Sequence, residues 1–166
     1  MNSTVVRIRR ATKEDAARIS ELAQAVALKF IVDEFHGRGR AFYLKQLAPE
    51  AIAKRLADDD FRFLIAEHGE ALVGVAAMQG HWHLYHLFVA KGYQRGGVAR
   101  QLWKILREEA LGAGPLRSFK ANVPRYAIGA YTRLGFTPDG EFRDERGVRF
   151  QPMTCPVKRP EAAVAR

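Results

Sequence analysis

The chain has 166 residues, of which 48% are hydrophobic and 27% are charged. This length and composition are typical of one globular domain, and they exclude a fibrous or wholly disordered chain. A single cysteine, Cys155, excludes an intramolecular disulfide and a thiolate metal cluster. The net charge of +9 comes from 27 basic and 18 acidic residues, but the sequence has no long block of like charge. We therefore do not expect nucleic acid to be a partner.

The longest apolar run, residues 71–78, is too short to cross a membrane as a helix, and residues 1–7 lack the apolar core of a signal peptide. We therefore expect a cytoplasmic protein that does not bind membranes. One domain is expected over 1–157, followed by a flexible tail over 158–166.

Hydrophobic periodicity and turn residues predict an α/β fold with a mixed sheet and helices on both of its faces. The expected order is β-α-α-β-β-β-α-β-α-β-β. In chain order, the predicted elements are a strand at 5–9, a helix from 12 to about 35, a loop at 36–40, a helix at 49–56, strands at 61–67, 70–79 and 81–89, a helix at 98–111, a strand at 116–121, a helix at 126–134, and a hairpin of 136–142 with 148–154.

The most informative segment runs from a predicted strand, Leu87-Phe88-Val89, through a glycine-rich loop into a predicted helix. Unpaired backbone amides and the positive end of the dipole make a helix start a natural phosphate site, and glycine lets the phosphate approach the backbone. The loop, Gln94 to Arg100, is neither a P-loop nor a GxGxxG dinucleotide loop. The alternative is a simple glycine turn that starts a helix.

A second segment follows the strand at 116–121: Asn122, then Tyr126-Ala127-Ile128, then Tyr131-Thr132-Arg133-Leu134-Gly135-Phe136. Together the two segments resemble the GNAT superfamily of N-acetyltransferases. The later stretches Gly147-Val148-Arg149-Phe150 and Pro152-Met153 are similar to a group of its small bacterial members. Gln94-x-x-Gly97-x-Ala99 is similar to the family's acetyl-CoA signature, although Ala99 stands in place of the commoner second glycine and Gln94 in place of arginine. Tyr131-x-x-Leu134-Gly135-Phe136 is similar to its late tyrosine helix. The resemblance extends from Ile8 to about Val157.

The resemblance implies that acetyl-CoA is the cosubstrate and that the acetyl group passes to a primary amine of a small molecule or peptide. Transfer would occur by direct attack in a ternary complex, and a homodimer is possible. The diphosphate would bind the amides of 95–100, and the pantetheine would lie beside 87–89, where two parallel strands separate. The residues assigned to cofactor binding are Leu87, Phe88, Val89, Gln94, Arg95, Gly96, Gly97, Val98, Ala99, Arg100 and Asn122.

Tyr131 matches the residue that many family members use as the acid for the departing thiolate; the alternative is a tyrosine that only packs in the core. The segment His81-Trp82-His83-Leu84-Tyr85-His86 offers a base. Simple alternation places His81, His83 and Tyr85 on one face of the strand and His86 on the other. His83 is the candidate base or water relay, because histidine titrates near neutral pH. Its alternative role is structural.

Other functions remain open at this point. A non-catalytic acyl-CoA-binding module or, less well supported, a basic nucleic-acid-binding domain would share many of these features. His81 and His83 could chelate a metal ion, but the sequence offers no clear third ligand, so no metal site is expected. Cys155 is expected to be an inert buried thiol. Aromatic residues that are candidates for an acceptor pocket are Phe30, Phe35, Phe42, Tyr43 and Trp82.

Overall fold

The computed structural model describes residues 5–158. The predicted tail therefore lies outside the described residues, apart from Lys158. The strands are β1 Val6–Arg10, β2 Phe61–His68, β3 Ala71–Gln79, β4 His83–Val89, β5 Ser118–Val123, β6 Thr137–Pro138, β7 Arg143–Glu145 and β8 Val148–Pro156. The α-helices are α1 Ala16–Phe30, α2 Gly39–Gln46, α3 Pro49–Leu56, α4 Val98–Ala113 and α5 Ile128–Arg133. Short 3-10 helices cover Lys13–Asp15, Val32–Glu34, Lys91–Tyr93 and Arg125–Ala127.

The strands form one sheet in the order β1-β2-β3-β4-β5-β8-β6, and β7 pairs with β8. Among the strand pairs of residues 5–158, only β4–β5 is parallel, and α4 is the crossover between these two strands. The predicted mixed sheet is therefore confirmed. In the described part of the chain, no helix is long and apolar enough to span a membrane.

Helices cover both faces of the sheet, as predicted. On the α1 face, α1 and α3 pack on the sheet through a core that includes Ile19, Val26, Ile52, Ile65, Val75 and Phe88. On the α4 face, α4 and α5 pack through a second core that includes Leu84, Leu102, Trp103, Leu106, Phe119 and Tyr131. Alternation along the strands divides their side chains between these two cores.

Helix α2 is the largest departure from the predicted elements. The two glycines of 36–40 predicted a loop, yet only Gly37 has a positive φ, of +57°, whereas Gly39 begins α2. A Cβ on Gly39 would lie 2.3 Å from the carbonyl carbon of Gly147. Gly39 therefore permits a close backbone contact with the β7–β8 turn rather than breaking a helix. Helix α1 also ends at Phe30, earlier than the predicted Phe35.

The last predicted hairpin is divided in the structure. Its first strand, expected at 136–142, is replaced by β6 and β7. Gly140 lies between them with a φ of +83°, and its carbonyl accepts a hydrogen bond from Gln151 Nε2. This bend interrupts the strand, so its two parts pair with different stretches of β8.

Strand β4 contains a bulge that overturns one prediction. Ala77 of β3 pairs with His86 and Met78 pairs with Leu84, so Tyr85 is an extra residue in the ladder. The bulge places Tyr85 and His86 together on the α1 face, with their ring centroids 4.6 Å apart. The prediction that His86 lies on the opposite face from Tyr85 is therefore wrong, because an inserted residue resets the alternation.

Candidate active site

The parallel strands β4 and β5 separate soon after they meet. Their ladder consists of one pair, His83 with Lys120, next to a 2.8 Å hydrogen bond from the Lys120 amide to the Trp82 carbonyl. Beyond this point β4 pairs only with β3, and β5 pairs only with β8. One backbone edge of 87–89 therefore faces a split in the sheet, as the resemblance implied.

A cleft of about 910 Å³ lies at this split. It is lined by Leu87, Val89, Tyr93, Gln94, Arg95, Gly97, Val98, Ala99, Arg100, Tyr126, Ala127, Gly129, Ala130, Tyr131, Arg133 and Leu134. The split thus brings the glycine loop and the tyrosine helix, which are far apart in sequence, to one cleft.

The glycine loop has the backbone geometry of an anion site. Arg95 and Gly97 adopt left-handed conformations, with φ of +66° and +85°, and Gly97 is the N-cap of α4. The first intrahelical bond runs from the Gln101 amide to the Gly97 carbonyl, so the amides of 98–100 have no partner within the helix. These amides, the helix dipole and the nearby arginines all favour a phosphate group here.

Three contacts hold this loop in place. The side-chain Nε2 of Gln94 donates to the Val89 carbonyl at 3.1 Å, which ties the loop to the end of β4. His68 Nδ1 lies 2.6 Å from the Tyr93 hydroxyl, which ties it to the end of β2. Gly74 of β3 lets α4 pack closely, since a Cβ there would lie 2.9 Å from Val98 Cγ1. The sequence analysis did not identify three of these residues: Tyr93, His68 and Gly74. For Tyr93, the one signal in the sequence was its position directly before Gln94.

The cleft does not include every residue assigned to the cofactor. Gly96 and Asn122 are not among the lining residues, and Asn122 is exposed on β5. The side chain of Phe88 is buried in the core of the α1 face. Phe88 can therefore contribute only its backbone to the split edge.

Tyr131 lies on α5 and is 6% exposed. Its ring packs edge-on against Phe136, with 5.5 Å between the centroids, and its hydroxyl makes no hydrogen bond to another side chain or backbone group of residues 5–158. Burial, with smaller effects of Tyr126 and Tyr43, raises the pKa of Tyr131 above its usual value. The phenol is therefore neutral at physiological pH, and Tyr131 is one of the residues that line the cleft.

The histidines of β4 differ in their surroundings. His83 is half-buried, its ring stacks on Trp82, and burial lowers its pKa, so it is neutral at pH 7. His86 is buried. Its burial and, to a smaller extent, the charge of Arg55 lower its pKa to about 3. Neither histidine lines the cleft. Within residues 5–158, no three His, Cys, Asp or Glu side chains are grouped so that they could hold a metal ion.

The end of α1 reaches across the split on the α1 face. Phe30 stacks on Tyr126, with 5.1 Å between the centroids, and Arg125 Nε donates to Glu34 Oε2 at 3.0 Å. Tyr43 is largely buried and packs against Phe35. The other two aromatic candidates for an acceptor pocket are exposed, Phe42 by 60% and Trp82 by 42%.

Cys155 is buried, and burial raises the pKa of its thiol.

Three features of the cleft suit acetyl-CoA. Its loop presents free amides and cationic side chains to a diphosphate, and the split leaves the backbone of 87–89 without a neighbour on one side. Its volume is also within the range of small-molecule sites.

Comparison with solved structures shows the same fold at low sequence identity. A GCN5-related N-acetyltransferase from Rhodopseudomonas palustris matches with a TM-score of 0.76 and 20% identity, covering 95% of this chain and 99% of that one. The PaiA N-acetyltransferase from Thermoplasma acidophilum, solved with coenzyme A, matches with a TM-score of 0.73 and 15% identity over 92% and 99%. The ribosomal-protein-S18-alanine N-acetyltransferase from Escherichia coli matches with a TM-score of 0.67 and 16% identity over 97% and 99%.

A comparison with curated protein sequences found no match. The family model described as "Acetyltransferase (GNAT) domain" matches residues 16–157, which is most of the chain. The resemblance seen in the motifs is thereby confirmed, and the chain belongs to the GNAT family of acetyltransferases.

Proposed function

We propose that this protein transfers the acetyl group of acetyl-CoA to a primary amine by direct attack in a ternary complex. The observation that carries the proposal is one cleft that joins three features: the split edge of β4, the free amides at the start of α4, and the Tyr131 hydroxyl. Acetyl-CoA supplies an activated thioester. The residues of the chain bind it, orient it and handle the protons.

The start of α4 binds the diphosphate through the amides of 98–100, and Arg95 and Arg100 add positive charge. The pantetheine pairs with the free edge of 87–89 as an added strand would. A backbone N–H of this edge then faces the thioester oxygen, where negative charge develops during attack.

Tyr131 serves as the acid for the departing thiolate. Its hydroxyl has no other protein partner in the described chain, and its raised pKa keeps it protonated, so that it can donate a hydrogen bond to the thiolate as the C–S bond breaks. Donation at that stage stabilises the leaving group without ionising the enzyme beforehand.

His83 serves as the base or as a relay through water. The acceptor approaches from the α1 face, where His83 lies beside Tyr85 with 5.4 Å between the ring centroids. Its lowered pKa keeps the imidazole neutral and able to accept a proton from the attacking amine. Because His83 does not line the cofactor cleft, a water molecule is the expected link.

The first test is a calorimetric titration of the purified protein with acetyl-CoA, with ATP and NAD as anionic controls. We expect one site per chain, selectivity over both controls, and loss of binding in Gly97→Trp, whose side chain would fill the loop. Equal binding of the three anions, or none, would overturn the assignment of the cleft.

The second test is acetyl transfer to a panel of amines, read by mass spectrometry of the products so that the Cys155 thiol does not interfere. We expect at least one primary amine to be acetylated, and Tyr131→Phe to slow that reaction. Selective binding of acetyl-CoA with no transfer to any amine would favour the non-catalytic module.

A further inference from the structure

Arg55 is a buried cation whose guanidinium contacts neutral groups, those of Gln46, Tyr85 and His86. It lies in the last turn of α3 and is 8% exposed. Its Nη1 donates to the Gln46 carbonyl at 2.6 Å and lies 3.4 Å from His86 Nε2, and its Nη2 donates to Gln46 Oε1 at 3.0 Å. The guanidinium carbon lies 5.2 Å from the ring centroid of Tyr85. No carboxylate in residues 5–158 forms an ion pair with it.

Such a charge is costly to bury. Removing an ion from water costs several kcal/mol, and a buried ion is usually paired with an opposite charge. Here the compensation comes from an amide oxygen and from the carbonyl ends of α2 and α3, which carry only partial negative charge. A neutral side chain of similar size would avoid the cost, so packing alone does not explain an arginine at this position.

The position of the charge suggests its purpose. Arg55 contacts both residues of the β4 bulge, Tyr85 and His86, and Leu87 of the cofactor cleft follows directly. A guanidinium nitrogen only donates, so His86 Nε2 must accept, and the neutral imidazole carries its proton on Nδ1. The contact thus selects one form of His86 and holds the bulge at the place where β4 enters the split.

We propose that Arg55 is a positioning residue for acyl transfer: it fixes the β4 bulge and places a buried positive charge behind the strand edge that receives the thioester oxygen. This inference rests on the proposed function. A charge in a water-excluded core acts over a longer distance than one at the surface, and it favours the oxyanion more than the neutral thioester. Arg55 does not touch the substrate and acts through β4.

The test measures polarisation of the thioester without any amine. Acetyl-CoA labelled with ¹³C at the acetyl carbonyl is bound to the full chain, and its carbonyl stretch is recorded by infrared difference spectroscopy. We expect the stretch in the wild-type protein to lie at lower frequency than in water. Arg55→Met should lose about half or more of this downshift, because the positive field at the carbonyl is removed.

Two further variants separate the charge from the packing. Gln46→Glu leaves Arg55 in place but supplies a carboxylate beside its Nη2, so we expect the downshift to shrink while the melting temperature is kept or raised. Arg55→Lys keeps the charge and should retain most of the downshift. Lys54→Met removes the same charge from the adjacent, exposed position of α3 and should change nothing.

The affinity of each variant for CoA, which lacks the acetyl group, is measured by calorimetry in parallel with the spectra. Unchanged CoA affinity together with a lost downshift supports the proposal. An unchanged downshift in both Arg55→Met and Gln46→Glu overturns it and leaves Arg55 as a tie between α2, α3 and β4. If Arg55→Met does not fold, the Gln46→Glu result decides. Failure of the wild-type protein to bind acetyl-CoA would instead overturn the proposed function.

Discussion

Tyr131 acquires its chemical character from its surroundings. A phenol in water ionises near pH 10, but burial against Phe136 and near Tyr126 raises this pKa. Tyr131 therefore stays protonated, and its side chain lines the cleft. The sequence identified the residue, whereas its burial depends on how α5 packs against the sheet.

Replacing Tyr131 by phenylalanine should lower kcat about 100-fold, the usual scale for loss of a general acid. The melting temperature should change little, because the hydroxyl has no hydrogen-bond partner among residues 5–158. Thr132→Val is the matched control, since it removes a hydroxyl from the adjacent, exposed position of α5, which does not line the cleft. Equal kcat values for the two variants would contradict the acid role.

Replacing His83 by glutamine tests the base. A histidine base works unprotonated, and the pKa of His83 is lowered by burial. With saturating amine, kcat should therefore fall only when the pH drops below the ordinary histidine value, and His83→Gln should abolish this acidic limb and lower the plateau at least about tenfold. His81→Gln, outside β4, should keep the wild-type profile. An intact acidic limb in His83→Gln would assign the proton to another group.

At the scale of elements, the start of α4 shapes the proposed diphosphate site. Gly97 is needed for its positive φ, whereas Gly74 is needed for the space that its missing Cβ leaves to Val98. The two glycines look alike in the sequence but serve different physical purposes. One shapes the loop, and the other lets the helix approach the sheet.

Alanine at Gly97 should cost about 1 kcal/mol of unfolding free energy and weaken acetyl-CoA binding several-fold, because its φ of +85° disfavours any side chain even though the space is open. Gly112→Ala is the control in the last turn of α4, with open space and an ordinary φ. It should stabilise the protein by about 0.5–1 kcal/mol and leave binding unchanged. Urea unfolding measures the stability of both variants, and calorimetry measures their affinity for acetyl-CoA. If Gly97→Ala changed neither quantity, the loop would tolerate another conformation.

Two elements show where local sequence signals fail. Gly39 has the appearance of a helix breaker but begins α2, because its backbone must pass close to Gly147. Strand β4 has the appearance of a regular alternation but contains an extra residue, Tyr85. In both cases a contact with a distant segment decided the local structure, and no short window of sequence contains that contact.

At the scale of the whole molecule, one ion network links the first two strands of the sheet to the first helix. Arg9 of β1 pairs with Asp15 at 2.9 Å and with Glu67 of β2 at 2.7 Å, and Arg18 of α1 pairs with Glu67 at 3.1 Å. Asp15 also accepts a hydrogen bond from the Thr12 amide at 2.8 Å, at the start of the 3-10 helix that precedes α1. Arg9, with smaller contributions from Thr12, lowers the pKa of Asp15 to about 2.

The network predicts a dependence of stability on pH. Because the folded pKa of Asp15 is depressed, its contribution is present above the unfolded value near 4 and is lost as the pH falls towards 2. Asp15→Asn should lower the unfolding free energy at pH 7 by about 1–2 kcal/mol, after allowance for the partial exposure of Arg9. The unfolding free energy of this variant should also fall less steeply than that of the wild-type protein as the pH is lowered.

Urea unfolding at pH 7, 4 and 3 measures the effect. Asp33→Asn is the control, because Asp33 is 81% exposed and its pair with Arg40 is at the surface. It should match the wild-type protein at each pH. An equal acid loss in the wild-type protein and in Asp15→Asn would place the sensitive carboxylate elsewhere.

The sequence by itself determined the mixed fold and the strand–loop–helix at 87–100, and its resemblance to the family implied the separation of the parallel strands and the candidate acid Tyr131. These follow from periodicity, glycine placement and family motifs, which act over short stretches of chain. Only the tertiary structure decided that Arg55 lies behind the β4 bulge, that His86 is buried beside it and that Asn122 stays outside the cleft. Such facts depend on contacts between residues far apart in the chain, because burial and pairing arise only when separate elements pack together.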